Sequence, residues 1–286
     1  MVDATLYGFA ETLAPAAPDR TEVSLRRQKI LQALSRSNLR VDSMFESGSW
    51  SHGTGVRAHS DVDYMARATG NRPMRPSTAL AVAKEAIRGC DFKITSTAVS
   101  SPVIAVGYSS VPNFEIAPAW YYGTSNGFDV YVIAGRKDEW VFSAPEAHLK
   151  YVDRQNDRLS KKVKPLARLL KAWKYHMGVP VSSFYLEMRT AEFAAGVKSI
   201  VYDVDLPSML GRLIGFGVRD MNDPEQIVGR IPACASDEKE RRTIQLAKDA
   251  LAHLAKAAAA KERRDAGEYW NSMYQIFGAG YPWPSW

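Results

Sequence analysis

Cysteine is almost absent. Cys90 and Cys234 are the only two among 286 residues, far apart and outside any metal-ligand spacing. That excludes a disulfide scaffold and a cysteine-based structural zinc, and it fits a reducing compartment, so a cytoplasmic protein is expected. No run approaches the roughly 18 apolar residues that a membrane-spanning helix requires. The stretch MVDATLYGFAETLAPAAPDR has no basic segment followed by an apolar one, so no secretory leader is read there. Internal repeats are missing, as are HExxH and Ser-His-Asp patterns, and no appended RNA-binding module is visible. His52 and His59 read as surface loop histidines.

The composition that remains is that of an ordinary globular chain, 46% hydrophobic and 24% charged. Its length suits one large domain or two intimate lobes with a real core. The net charge of +6, with a pI near 9.2, favours polyanionic partners, either nucleic acid or nucleotides carrying several phosphates.

The apolar spacing predicts a helix over Glu22–Asn38, with a stripe of Leu25, Ile30, Leu31 and Leu34 and a capping box from Asp19 and Glu22. A strand over Val41–Glu46, a turn-rich loop, the strand DVDYMARA and a helix over Ser77–Arg88 follow. The segment Phe92–Ile133 reads as a series of strands separated by Ser, Pro and Gly turns. After Pro145 the chain turns basic and helical, with one continuous helical segment ending at Gly178, then SSFYLEMRTAEFAAG, LPSMLGRLIGFG, a long amphipathic helix and EYWNSMYQIFG. The expected architecture is α+β and two-lobed: a mixed-sheet lobe with a spanning helix covers residues 1–150, and a helical lobe covers 151–286.

Within GSWSHGTGVRAHSDVDY, Asp61 and Asp63 stand two residues apart on a predicted strand, so both carboxylates share one face. Like charges so placed repel unless a cation lies between them. Two-metal phosphoryl transfer needs such converging carboxylates. Glu115, a lone acid in the apolar run NFEIAPAW, is the candidate third ligand, since burying it without a partner would be costly; Asp129 beside a turn is the competitor. Upstream, Gly48 and Ser49 fit a phosphate cradle, the glycine by letting backbone amides approach and the serine by adding a donor.

GSWSHGTGVRAHSDVDY followed by FEIAPAW resembles the nucleotidyltransferase signature of the polymerase-β superfamily. More narrowly, with RLLKAWK, SSFYLEM and YWNSMYQIFGAGYP, the chain resembles the bacterial cGAS/DncV-like nucleotidyltransferases, including their oligoadenylate-synthetase-like members, over roughly residues 20–284. The family more often carries Asp at the third carboxylate, where this chain has Glu115. The resemblance implies that Lys171 and Ser183 grip a triphosphate and that Phe184 stacks on a base. Asn156 lies where a side chain would read a base edge. Lys161, Lys162, Lys164, Lys171 and Lys174 also suit the wet side of an amphipathic helix, and Phe184 suits a core position.

The function implied is synthesis of a cyclic oligonucleotide messenger from nucleoside triphosphates in bacterial anti-phage (CBASS) signalling. It would use two Mg2+ ions (Mn2+ being possible) and release pyrophosphate. The messenger acts on a separate effector, partner proteins of the same operon regulate the enzyme, and the protein is a monomer without membrane attachment. The alternatives are transfer to another acceptor (an RNA 3′ end, a small molecule or a protein), linear oligoadenylate synthesis, or a non-catalytic sensor.

Overall fold

The computed structural model describes residues 3–15, 20–59 and 61–284. The chain forms two compact units, one of Pro15–Lys150 with Glu225–Gly229, the other of Met1–Ala14, Tyr151–Pro224 and Arg230–Trp286. Residues 1–14 thus group with the helical unit, not with the strand unit where the sequence reading placed them, and a short loop from the second half of the chain joins the strand unit.

In the strand unit, α2 (Arg20–Ser35), β1 (Val41–Ser47), the one-turn α3 (Gly48–Ser51), β2 (Val62–Ala68) and α4 (Pro76–Ile87) precede a run of five strands. These are β3 (Ile94–Ser100), β4 (Val103–Tyr108), β5 (Phe114–Ser125), β6 (Phe128–Ala134) and β7 (Trp140–Ser143). They form one mixed sheet in the order β1-β2-β5-β4-β3, with β6 on β5 and β7 on β6. Only β2 and β5 run parallel. Alternation along β2 and β5 sends Val62, Tyr64, Phe114 and Ile116 into the core beneath α2 and α4. The residues between them point to the other face.

The buried face of α2 differs from the expected stripe. Val23, Arg26, Ile30 and Leu34 are buried and Leu25 is exposed. Arg26 is only 1% exposed, yet its guanidinium donates to the Ser110 and Pro112 carbonyls at 2.9 Å and lies 4.2 Å from the centre of the Tyr108 ring. A fully hydrogen-bonded arginine can occupy a core position that periodicity assigns to leucine. The capping expected from Asp19 lies outside the described residues.

The helical unit contains α1 (Asp3–Thr12), α6 (Val163–His176), α7 (Ser183–Ala195), α8 (Tyr202–Gly215), α9 (Asp237–Glu262) and α10 (Ala266–Phe277), with a small β8–β9 hairpin (Met221–Asn222, Arg230–Ile231). The segment read as one helix is two, α5 (Pro145–Arg158) and α6, because Ser160 and Lys161 adopt left-handed φ of 54° and 64°. The core joins Leu166, Leu170 and Trp173 of α6 with Tyr185, Leu186 and Met188 of α7 and an alanine-rich face of α9.

Candidate active site

β2 and β5 set the carboxylates. Their parallel register pairs Asp63 with Glu115, so both side chains leave the sheet on the same face from adjacent strands. Asp61 lies just before β2, half-buried, two residues from Asp63. The same row continues on either side, with Ser47 of β1 opposite Asp63 and Ala105 of β4 opposite Glu115. Asp129 is exposed on β6, where its carboxylate accepts from the Tyr131 hydroxyl at 3.4 Å. Burial and that neighbouring carboxylate push the Tyr131 phenol up from its ordinary pKa.

Gly48 opens α3 in a left-handed conformation (φ +63°) directly against Asp63. A β-carbon added there would lie 2.2 Å from Asp63 Oδ2, so only glycine fits. The next amide, Ser49 N–H, donates to the same oxygen at 3.2 Å. The carboxylate is thereby held by the turn, and the Gly48–Ser49 backbone is held by the carboxylate. His52, read as a surface group, is instead buried beside this turn, while His59 is exposed.

The three acids are aligned by the backbone without closing on one point. Among the described residues, no three His, Cys, Asp or Glu side chains are gathered as metal ligands are. The Ser49 amide holds one oxygen of Asp63. The donors still suit a hard divalent cation such as Mg2+ or Mn2+, since all are carboxylate oxygens and they come from adjacent strands.

In the helical unit, the expected lysine and the observed one differ. Lys171 is 1% exposed, and its ammonium donates to Glu187 Oε2 of α7 at 2.7 Å, so its charge is neutralised within the helix pair and it does not face solvent as a phosphate grip would. One turn further along α6, Lys174 Nζ donates to Ser183 Oγ at 2.5 Å. The Tyr175 hydroxyl lies 3.2 Å from the same oxygen. Ser183 is the first residue of α7, whose N-cap is Ser182. The sequence reading named Lys171 beside Ser183, whereas the structure pairs Ser183 with Lys174. The available signal was RLLKAWK itself, with two lysines three residues apart.

Asn156 also differs from expectation. It is buried, and its side-chain oxygen accepts from the Lys164 amide at 3.1 Å while its carbonyl accepts from the Lys161 amide at 2.7 Å. It ties α5 to α6 across the left-handed break, and this accounts for its burial without any base to read. Phe184 is half-buried against the helical core.

A mixed sheet with two carboxylates paired across parallel strands, a Gly-Ser turn against one of them, and a separate helical unit define the nucleotidyltransferase fold. Solved structures bear this out. CdnC of E. coli MS115-1 with ATP aligns at a TM-score of 0.76 and 18% identity, covering 99% of each chain. CdnG of Bradyrhizobium diazoefficiens with GTP aligns at 0.72 and 13% identity over 97% of this chain and 96% of that one. DncV of Vibrio cholerae, a cyclic AMP-GMP synthase bound to the linear intermediate pppA(3′,5′)pG, aligns at 0.66 and 13% identity over 98% of this chain and 86% of that one. No curated protein matches the chain in sequence.

Residues 1–156 match the Second Messenger Oligonucleotide or Dinucleotide Synthetase domain, and the chain belongs to that family, the bacterial cGAS/DncV-like nucleotidyltransferases. It is an enzyme of the cyclic oligonucleotide synthase class.

Proposed function

We propose that this enzyme joins nucleoside triphosphates into a cyclic di- or trinucleotide and releases pyrophosphate, with Asp61, Asp63 and Glu115 holding the divalent metal. A 2′- or 3′-hydroxyl of one nucleotide attacks the α-phosphorus of another; the oxygen–phosphorus bond to the pyrophosphate breaks as the new phosphodiester forms. The register pairing of Asp63 with Glu115 carries this reading, because it brings two acids onto one face of adjacent strands. Two Mg2+ ions bound there would lower the pKa of the attacking hydroxyl and neutralise the triphosphate.

The chain itself supplies position and charge, with no covalent intermediate. The Gly48–Ser49 turn, held against Asp63 through the Ser49 amide, is assigned to the phosphates through the Ser49 hydroxyl. Lys174 and Ser183 are assigned to the triphosphate, a point charge and a hydroxyl held at 2.5 Å from each other at the start of α7. Phe184 offers an aromatic face for a base to stack on.

The substrate assignment follows the ATP, GTP and pppApG ligands of CdnC, CdnG and DncV. The occurrence of CdnC in complex with HORMA-deltaN supports a regulatory protein partner, and the role we assign is anti-phage (CBASS) signalling. Mass spectrometry of the products from mixed triphosphates with Mg2+ tests the reading. A cyclic, phosphatase-resistant product with stoichiometric pyrophosphate is expected. Nucleotide transfer only to an added RNA or small molecule would overturn it.

A further inference from the structure

Among the described residues, the mixed sheet ends on three strands, β1, β3 and β7. An edge strand offers unpaired N–H and C=O groups to any passing strand, and soluble proteins blunt such edges with charge, proline, bulges or brevity. β1 carries Asp42 and Glu46, its register shifts between Val41 and Ser43, and the Arg27 guanidinium donates to its Met44 carbonyl at 2.6 Å. β7 is only four residues long, and Trp140 at its start donates to the Met74 carbonyl at 3.1 Å. β3 is finished differently.

Its sequence, ITSTAVS over Ile94–Ser100, has neither charge nor proline. The one register shift lies at its start, between Ile94 and Ser96, and from Ser96 to Ser100 the pairing with β4 is regular. Ser96, Ala98, Val99 and Ser100 are exposed and Thr97 is half-buried. Among the described residues, no loop or side chain bonds to the backbone of Ser96–Ser100 from outside the β3–β4 ladder. The charges just before the strand are already matched within the chain, Asp91 with Lys29 at 3.1 Å and Lys93 with Glu22 at 2.8 Å.

We propose that β3 pairs with the same strand of a second copy of this chain, antiparallel about a two-fold axis at Ala98, so that the two sheets become one. That register sets Thr97 opposite the partner's Val99 and Ser96 opposite the partner's Ser100. Small and β-branched side chains then meet on both faces, as cross-strand pairing favours. An identical strand brings no like charge against this edge, whereas β1 would set its own acids against those of a copy. Selection of a foreign peptide draws on side chains of size or charge along the edge, which ITSTAVS lacks. The contact lies on the sheet that carries the acids, since Glu115 of β5 pairs with Ala105 of β4, and Ala105 with Ala98. The resemblance implied a monomer; the edge assigns a reversible dimer.

The test is sedimentation velocity of the full chain over a concentration series reaching about 200 µM, because an interface of a few strand residues is weak. The wild type should shift reversibly from one chain toward two. Thr97→Lys/Val99→Lys sets like charges opposite each other in both pairs and should weaken self-association about tenfold or more, as should Thr97→Glu/Val99→Glu. Mixed in equal amounts, these two variants should associate at least as tightly as the wild type, because each new charge then faces its opposite. Should circular dichroism show that the double changes disturb the fold, the single changes Val99→Lys and Thr97→Glu, which face each other across the pair, read the same rescue when mixed. A wild type that stays a single chain throughout would leave the edge to a foreign strand and overturn the proposal. So would lysine variants that associate as the wild type does, which would move the contact to another surface, or a mixture that shows no rescue.

Discussion

The two units of this enzyme treat charge in opposite ways. In the strand unit, Asp61, Asp63 and Glu115 stand on one sheet face as three like charges, set there by alternation and by the β2–β5 register. In the helical unit, Lys171 and Glu187 are both 2% exposed in their side chains and cancel each other at 2.7 Å. Backbone geometry holds the first arrangement against its own repulsion, whereas the second is held by the ion pair itself. The first arrangement is the one we assign to a cation and a substrate; the second fixes how α6 lies against α7, and with it the meeting of Lys174 and Ser183.

Breaking the acidic side should have the largest effect. Asp61→Asn/Asp63→Asn should abolish product formation from labelled triphosphates while circular dichroism shows the fold retained, because removing like charges does not destabilise an unliganded site. On the helical side, Glu187→Ala leaves Lys171 buried without its carboxylate. It should cost about 3–5 kcal/mol in urea unfolding, whereas Lys171→Met/Glu187→Leu should cost much less. If the single and the double changes cost the same, the pair is not held as a neutral unit.

Glu115→Gln should lower kcat about a hundredfold, the scale of one lost contact to developing charge, and Glu115→Asp should retain much of the activity. Lys174→Ala should raise KM about tenfold with kcat less affected, as loss of a charged contact to a ground-state phosphate does, while Ser183→Ala should act in the same direction. An unchanged KM in both would return Lys174 to the role of a helix-surface lysine.

The smallest effect is expected at an exposed pair. Arg67 bonds both oxygens of Asp42, at 2.9 and 2.6 Å, and this holds the Asp42 carboxyl below its usual range. A depressed carboxyl contributes stability above pH about 4, and that contribution is lost as pH falls through the folded-state value. With both side chains more than a third exposed, Asp42→Asn should cost only about 0.5 kcal/mol at neutral pH and less than that at pH 3. Paired unfolding curves at the two pH values check it.

The same contrast explains what the sequence disclosed. Strand period two and flanking turns were enough to put Asp63 and Glu115 in strands, and the left-handed φ at Gly48 matches a residue whose use is visible in sequence. Helix periodicity could not tell Lys171 from Lys174, since they lie one turn apart and the deciding partner, Glu187, is 16 residues away. The break between α5 and α6 was hidden because Ser160 and Lys161, not glycine or proline, adopt positive φ. Asn156 read as a polar residue free to meet a base because nothing local reveals that it bonds the Lys164 amide. α1 and the four-residue β7 went unseen, one for its short run with Gly8 inside, the other for its brevity.

The central claim, that Asp61, Asp63 and Glu115 bind the metal–triphosphate complex, is met most directly by thermal melting with Mg2+ and a non-hydrolysable triphosphate. A ligand that binds only the folded state at about 100 Kd adds about 2.7 kcal/mol, or a few degrees in Tm for a chain of this size. That shift should appear in the wild type with both components, be much smaller with Mg2+ alone, and vanish in Asp61→Asn/Asp63→Asn. A shift of equal size in the wild type and the double variant would contradict the account.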